Sequence, residues 1–197
     1  MFIGRSLMTG RAVCLLFLPV GRVTRSVPSG GLEHFDWHAH KADHPGDSGA
    51  WQVEGGVMTV IWGDGGINQG PLTVLASGIE FYGKRYSRPR TVGITDLAGR
   101  WEAASGTALG GGEGINRLST LTVDAGGSYR RDGAIGGVVD GLASAEGSSS
   151  SGTLAIVGQT LTFSADDGSS VARTFLPAAG EPLDSFSLDA DMFTRLD

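Results

Sequence analysis

Two stretches of this chain, 103 residues apart, carry the same glycine-punctuated alternation of apolar and polar residues. One runs from Gly49 to Gly65, the other from Gly152 to Gly168, and they align without a gap. Trp51, Val53, Met58 and Val60 fall on Leu154, Ile156, Leu161 and Phe163. Gly49, Gly55 and Gly65 fall on Gly152, Gly158 and Gly168. Alternation of period two marks a half-buried strand. Gly55-Gly56 and Gly158-Gln159 supply the positive φ of a two-residue hairpin turn, and Asp64-Gly65 and Asp167-Gly168 are further hairpin signals. Each stretch is therefore expected to run strand, turn, strand, turn.

The correspondence extends to both sides. Phe17 to Val23 parallels Val123 to Tyr129, Thr73-Val74-Leu75 parallels Thr174-Phe175-Leu176, and Tyr86-Ser87-Arg88 parallels Phe193-Thr194-Arg195. The offset drifts between 101 and 107, as loop insertions produce. The pattern predicts two consecutive units, residues 1–90 and 96–197, with a linker starting in Ser87-Arg88-Pro89-Arg90. The first unit starts abruptly and is read as lacking part of its first strand.

Glycine supplies 33 of 197 residues without a G-X-Y period, which excludes collagen and implies many turns between short strands. About eight strands are expected in the second unit, near 97–104, 118–124, 128–132, 152–157, 160–165, 170–176, 184–188 and 191–196. Short strands at such spacing favour a closed barrel or a sandwich, and the fold class expected is all-β: two tandem antiparallel barrels of about eight strands, with one short helix in the first. That helix is expected over Gly31 to Asp43, where Leu32, Phe35 and Ala39 share a face and Pro45-Gly46 follows. The Gly- and Ser-rich stretches Ala104 to Gly114 and Gly141 to Ser151 read as mobile loops.

A net charge of −6 with no basic cluster argues against a nucleic-acid partner. Cys14 is the only cysteine, so one chain can form neither a disulfide nor a thiolate metal cluster. The apolar run Ala12 to Val20 reads as a buried strand of a soluble protein rather than the core of a signal peptide. Arg22 and Arg25 follow it at once, and no small-x-small cleavage site stands beyond it. The run is too short to span a bilayer. The compartment stays open.

Few residues point to chemistry. His34, His38, His40 and His44 lie close in sequence, and on a helix His34/His38 and His40/His44 are i, i+4 pairs that can chelate zinc. The HExxH pattern is absent. Gly110 to Gly114 lacks the Lys-Ser/Thr of a phosphate loop. Asp124, Asp166 and Asp167 read as turn residues rather than paired catalytic carboxylates. No Gly-x-Ser-x-Gly elbow occurs, and with no histidine the second unit cannot hold a Ser-His-Asp triad by itself. Trp51, Trp62, Tyr86 and Trp101 are large amphipathic side chains that either line a ligand cavity inside a barrel or fill its core.

Asp96-Leu97-Ala98-Gly99-Arg100-Trp101-Glu102 resembles the Gly-x-Trp motif on the first strand of lipocalins. The resemblance implies a structural pair in which Trp101 packs against Arg195, near the last strand. The chain is also similar to bacterial proteins with lipocalin-like repeats, through Gly31-Leu32-Glu33-His34-Phe35-Asp36-Trp37 and Trp62-Gly63-Asp64-Gly65. The Thr-Asp-Tyr motif of lipocalins is absent, and the first unit has no Gly-x-Trp.

Three functional expectations follow. The leading one is a non-enzymatic binding protein for a small apolar or amphipathic ligand, with Trp51, Trp62, Tyr86 and Trp101 as contacts and no cofactor. The second is a structural module with filled barrels that meets a protein partner. The third is a metal-dependent enzyme using His34, His38, His40 and His44.

Overall fold

The computed structural model describes residues 2–8, 11–88, 90–110, 113–139, 142–178, 181–189 and 191–196. The chain is all-β with one short helix and divides into two compact units. One comprises residues Met1–Pro28 and His34–Arg90. The other comprises Thr91–Asp197 together with the separate segment Ser29–Glu33.

The first unit contains β1 (Phe2–Met8), β2 (Arg11–Leu18), β3 (Arg22–Thr24), α1 (Trp37–Asp43), β4 (Ser48–Glu54), β5 (Val57–Trp62), β6 (Ile67–Leu75), β7 (Gly78–Phe81) and β8 (Lys84–Ser87). Each strand pairs antiparallel with the next, and the curled sheet is joined end to end at Ile3↔Ser87. Its interior holds Phe17, Val23, Met58, Val60, Trp62, Ile79, Phe81 and Tyr86. The run beginning at Ala12 lies on β2, where Leu16, Phe17 and Leu18 are buried.

The second unit contains β9 (Gly99–Gly110), β10 (Glu113–Val123), β11 (Ser128–Val139), β12 (Leu142–Val157), β13 (Thr160–Ala165), β14 (Ser170–Pro177), β15 (Ser185–Leu188) and β16 (Asp191–Arg195). They form an antiparallel barrel in chain order, closed where β16 meets β9 at Thr194↔Glu102 and Arg195↔Trp101. Trp101, Leu121, Phe163, Phe175, Phe186 and Phe193 pack in its core. Fully burying an aromatic or aliphatic side chain contributes about 1.5–3 kcal/mol, so these inward positions carry most of the barrel's stability.

The helix begins six residues later than the sequence pattern suggests. Gly30 and Gly31 take φ of +85° and +90°, which no helix accommodates. Asp36 is the N-cap, its Oδ1 accepting from the amides of His38 and Ala39. The buried residues on the helix are Trp37 and His40 rather than the apolar set built on Leu32, Phe35 and Ala39.

The Gly- and Ser-rich stretches are strands, which corrects the reading of them as mobile loops. Gly106 pairs with Asn116, and Ser144 to Ser151 pair in unbroken register with Gly137 to Arg130. The low complexity does reflect exposure, since Ser144 to Ser151 are all exposed. A ladder needs only backbone donors and acceptors, so small polar residues can extend a hairpin beyond the core. Gly111, Gly112 and Gly141, within these stretches, lie outside the described residues.

Hydrogen bonds recur at the offset of 103. The Gly63 amide donates to Ser48 O at 2.8 Å, and that of Asp166 to Ser151 O at 2.9 Å. Leu72 donates to Gly56 O, and Phe175 to Gln159 O. Asp64 Oδ1 accepts from the Gly66 amide, and Asp167 Oδ1 from that of Ser169. Gly55 and Gly158 take φ of +57° and +55°, Gly65 and Gly168 +84° and +87°.

Candidate functional site

The inward face of β9 to β12 continues past the barrel core, and cross-strand register gives its order. Directly paired residues share a face. The lowest row is Trp101, Leu121, Arg131 and Ser150. The next is Ala103, Ser119, Gly133 and Ser148, and above it stand Ser105, Arg117, Ile135 and Glu146. The face thus changes from aromatic to cationic and hydroxylic within three rows. Gly133 has no side chain, so a hollow opens between Arg131 below and Arg117 above. A cleft of about 360 Å³ lies here, and Arg117, Ser119, Arg131, Ile135, Glu146 and Ser148 are among the residues that line it. That volume lies within the range of small-molecule pockets.

Arg131 is the best-placed polar group. Its Nε–H donates to Ser119 Oγ at 3.0 Å, and its guanidinium carbon lies 5.9 Å from the Phe193 ring. Burial pushes this guanidinium below its ordinary value, Arg173 and Arg117 push the same way, and Asp191 and Asp189 oppose them. Asp189 is already engaged: it meets Arg173 at 3.0 Å and accepts from the Thr174 amide at 2.9 Å. Among the described residues no carboxylate forms an ion pair with Arg131. A more open depression of about 530 Å³ occupies the opposite face of the same strands, where Ala104, Gly106, Leu118, Ala134 and Gly136 leave it shallow and largely apolar.

The four aromatic residues expected as ligand contacts line neither cleft. Trp101 is fully buried, and its Nε1–H donates to Leu97 O at 2.8 Å. The Arg195 guanidinium carbon stands 4.3 Å above the Trp101 ring. Arg195 also donates to the carbonyls of Leu183, Ala98 and Asp96 at 2.9–3.0 Å, tying the barrel's end to the turn before β9. Trp62 donates to Asn68 Oδ1 and carries the Arg25 guanidinium at 4.3 Å. The half-buried Trp51 donates to the carbonyls of Leu18 and Arg22. Buried Tyr86 packs edge-to-face on Phe17 at 5.0 Å. The ring N–H groups of Trp51, Trp62 and Trp101 are thus bonded within the protein, and Trp62, Tyr86 and Trp101 help to fill the two cores.

The four histidines do not form a ligand set. Among the described residues no three His, Cys, Asp or Glu side chains are grouped to hold a metal ion. His34 precedes the helix, and His34, His38 and His44 are exposed. His40 is buried, its Nε2 lying 3.0 Å from Thr24 Oγ1, with the His44 ring centre 4.9 Å from its own. The Thr24 hydroxyl donates to Ser26 O, so its oxygen is free to accept from the imidazole. Asp124, Asp166 and Asp167 sit in or beside turns. Asp124 Oδ1 accepts from the amides of Gly126 and Ser128.

Burial, then the like charge of His44, holds His40 below its ordinary 6.5, while Asp43 and Asp47 pull it back up. A base depressed on folding stabilises the fold fully above the unfolded value of 6.5. That stability is lost as pH falls from there through the folded value. Urea midpoints of the first unit are therefore expected to drop between pH 8 and pH 5, and less so in His40→Gln. Equal drops in both proteins would place the pH sensitivity elsewhere.

Register, not motif, assembles Arg117, Ser119, Arg131 and Gly133. The signal in the sequence is Arg117 and Arg131 falling in step with the buried Leu121, Val123 and Tyr129 on the inward face of β10 and β11. No family model matches the chain, and neither a curated protein nor a solved structure matches it.

Proposed function

We propose that this protein is a non-enzymatic binding protein for a small amphipathic ligand, seated at the mouth of the second barrel. The observation that carries the reading is a cleft of about 360 Å³ standing directly above a filled aromatic core. Such a barrel offers its ligand a rim rather than a deep interior. The duplicated, lipocalin-like nature of the chain is part of the same proposal. It is supported by hydrogen bonds recurring at the 103-residue offset and by Arg195 lying over Trp101 next to Gly99-Arg100. No helix among the described residues is long and apolar enough to cross a membrane.

A fluorescent amphipathic probe is expected to bind saturably at one site per chain and to be displaced by alkyl amphiphiles. Gly133→Leu places a side chain in the hollow and is expected to abolish binding, with the far-UV circular dichroism unchanged. Absence of saturable binding in well-folded protein, across acids, alcohols and amines of several chain lengths, would overturn the proposal. The second reading, a structural module that meets a protein partner, draws on the close packing of Phe186 against Trp101, Phe175 and Phe193 at 4.8–5.3 Å between ring centres.

A further inference from the structure

We infer that the ligand at this mouth carries an anionic headgroup held by Arg131 and Arg117, and an apolar remainder lying along Ile135. The inference rests on the cleft being a binding site at all. Removing a guanidinium from water without a carboxylate partner is costly, and a ligand anion that supplies the partner recovers that cost on binding. Nε of Arg131 is committed to Ser119, while its two terminal amino groups have no partner among the described residues. Those groups present the fork that a carboxylate, phosphate or sulfate accepts in bidentate fashion.

Ser150 stands directly opposite Arg131, and Ser148 opposite Gly133, adding hydroxyl donors on the neighbouring strand. Arg117 closes the hollow from above. Glu146 also lines the cleft, but among the described residues no carboxylate is ion-paired with Arg131. Asp189 is paired with Arg173. Asp191 has no ion pair with Arg131. Glu146 is separated from Arg117 by Ile135, two strand spacings or about 10 Å across the sheet. Ile135, with 42% of its surface exposed, gives an apolar remainder a surface to lie along. A cleft of about 360 Å³ is also far larger than a bare oxyanion needs.

The test is probe displacement by decanoate, decanol and acetate on the full chain. Decanoate is expected to bind at least about tenfold tighter than decanol, in keeping with hydrogen bonds to a charged group. Arg131→Met should bring decanoate down to the level of decanol and leave decanol unchanged. Arg117→Gln, a change at an exposed position, should weaken decanoate by a smaller factor and keeps the test open if the first variant folds poorly. Equal affinities for decanoate and decanol would overturn the headgroup inference and leave the cleft standing as a site. Binding of neither would overturn the cleft itself. Acetate competing as well as decanoate would overturn the apolar remainder, and decanoate binding unchanged in both variants would overturn the arginine assignment.

Discussion

Trp101→Ala is expected to cost the second barrel about 3–5 kcal/mol, the usual range for emptying a large aromatic site in a packed core. The side chain is fully buried and packs edge-to-face on Phe186 at 4.8 Å. Its loss also strands the Arg195 guanidinium, which lies over the ring while holding three backbone carbonyls. Trp101→Phe should cost less, because the core stays filled and the bond to Leu97 O is what disappears. Denaturant unfolding followed by far-UV circular dichroism measures both. A loss below about 1 kcal/mol for the alanine variant would mean that the site collapses around the gap, and the view of Trp101 as the barrel's keystone would fail.

Gly152→Ala is expected to be comparably damaging although it adds one methyl group. Gly152 has φ of +156°, and a Cβ there would overlap the Ser164 carbonyl on the facing strand. The overlap is with backbone, so no side-chain rotation relieves it. Backbone strain of about 1–3 kcal/mol and overpacking of similar size add to about 2–6 kcal/mol. Gly49 occupies the corresponding place, where a Cβ would stand 2.5 Å from Ile61 O. A substituted second barrel should unfold at lower denaturant, as reported by Trp101, its sole tryptophan, in protein whose Trp37, Trp51 and Trp62 have been replaced by phenylalanine. An unchanged midpoint would show that the two strands can part at no cost.

These two positions show what was legible in the sequence. Gly49 and Gly152 stand out because a strand of alternating residues has no local use for glycine, and only a close neighbour explains it. The strands around them were legible for the same reason, since alternation and turn residues act locally. The long hairpins of β9 to β12 were hidden. Gly, Ser and Ala carry little intrinsic strand preference, and what makes them strands is a partner. A reading of Ala104 to Gly114 and Gly141 to Ser151 as loops gives no register from which the rows holding Arg117, Ser119, Arg131 and Gly133 can be drawn. The histidine spacing misled in the opposite way. It fits an i, i+4 helix in the abstract, but Asp36 starts the helix after His34, and the buried imidazole spends its nitrogen on Thr24.

The segment Ser29–Glu33 bears on how the chain can be dissected. It belongs to the second unit, where the amides of Leu32 and Glu33 both donate to Thr160 Oγ1 at 2.9 and 3.1 Å, and Gly31 lies against the same side chain. A fragment cut at Thr91 would therefore leave that buried hydroxyl without the two donors it serves. The piece of polypeptide bonded to the later barrel at Thr160 is synthesised some sixty residues before that barrel begins, so the ribosome delivers this clasp well ahead of the strand it fastens.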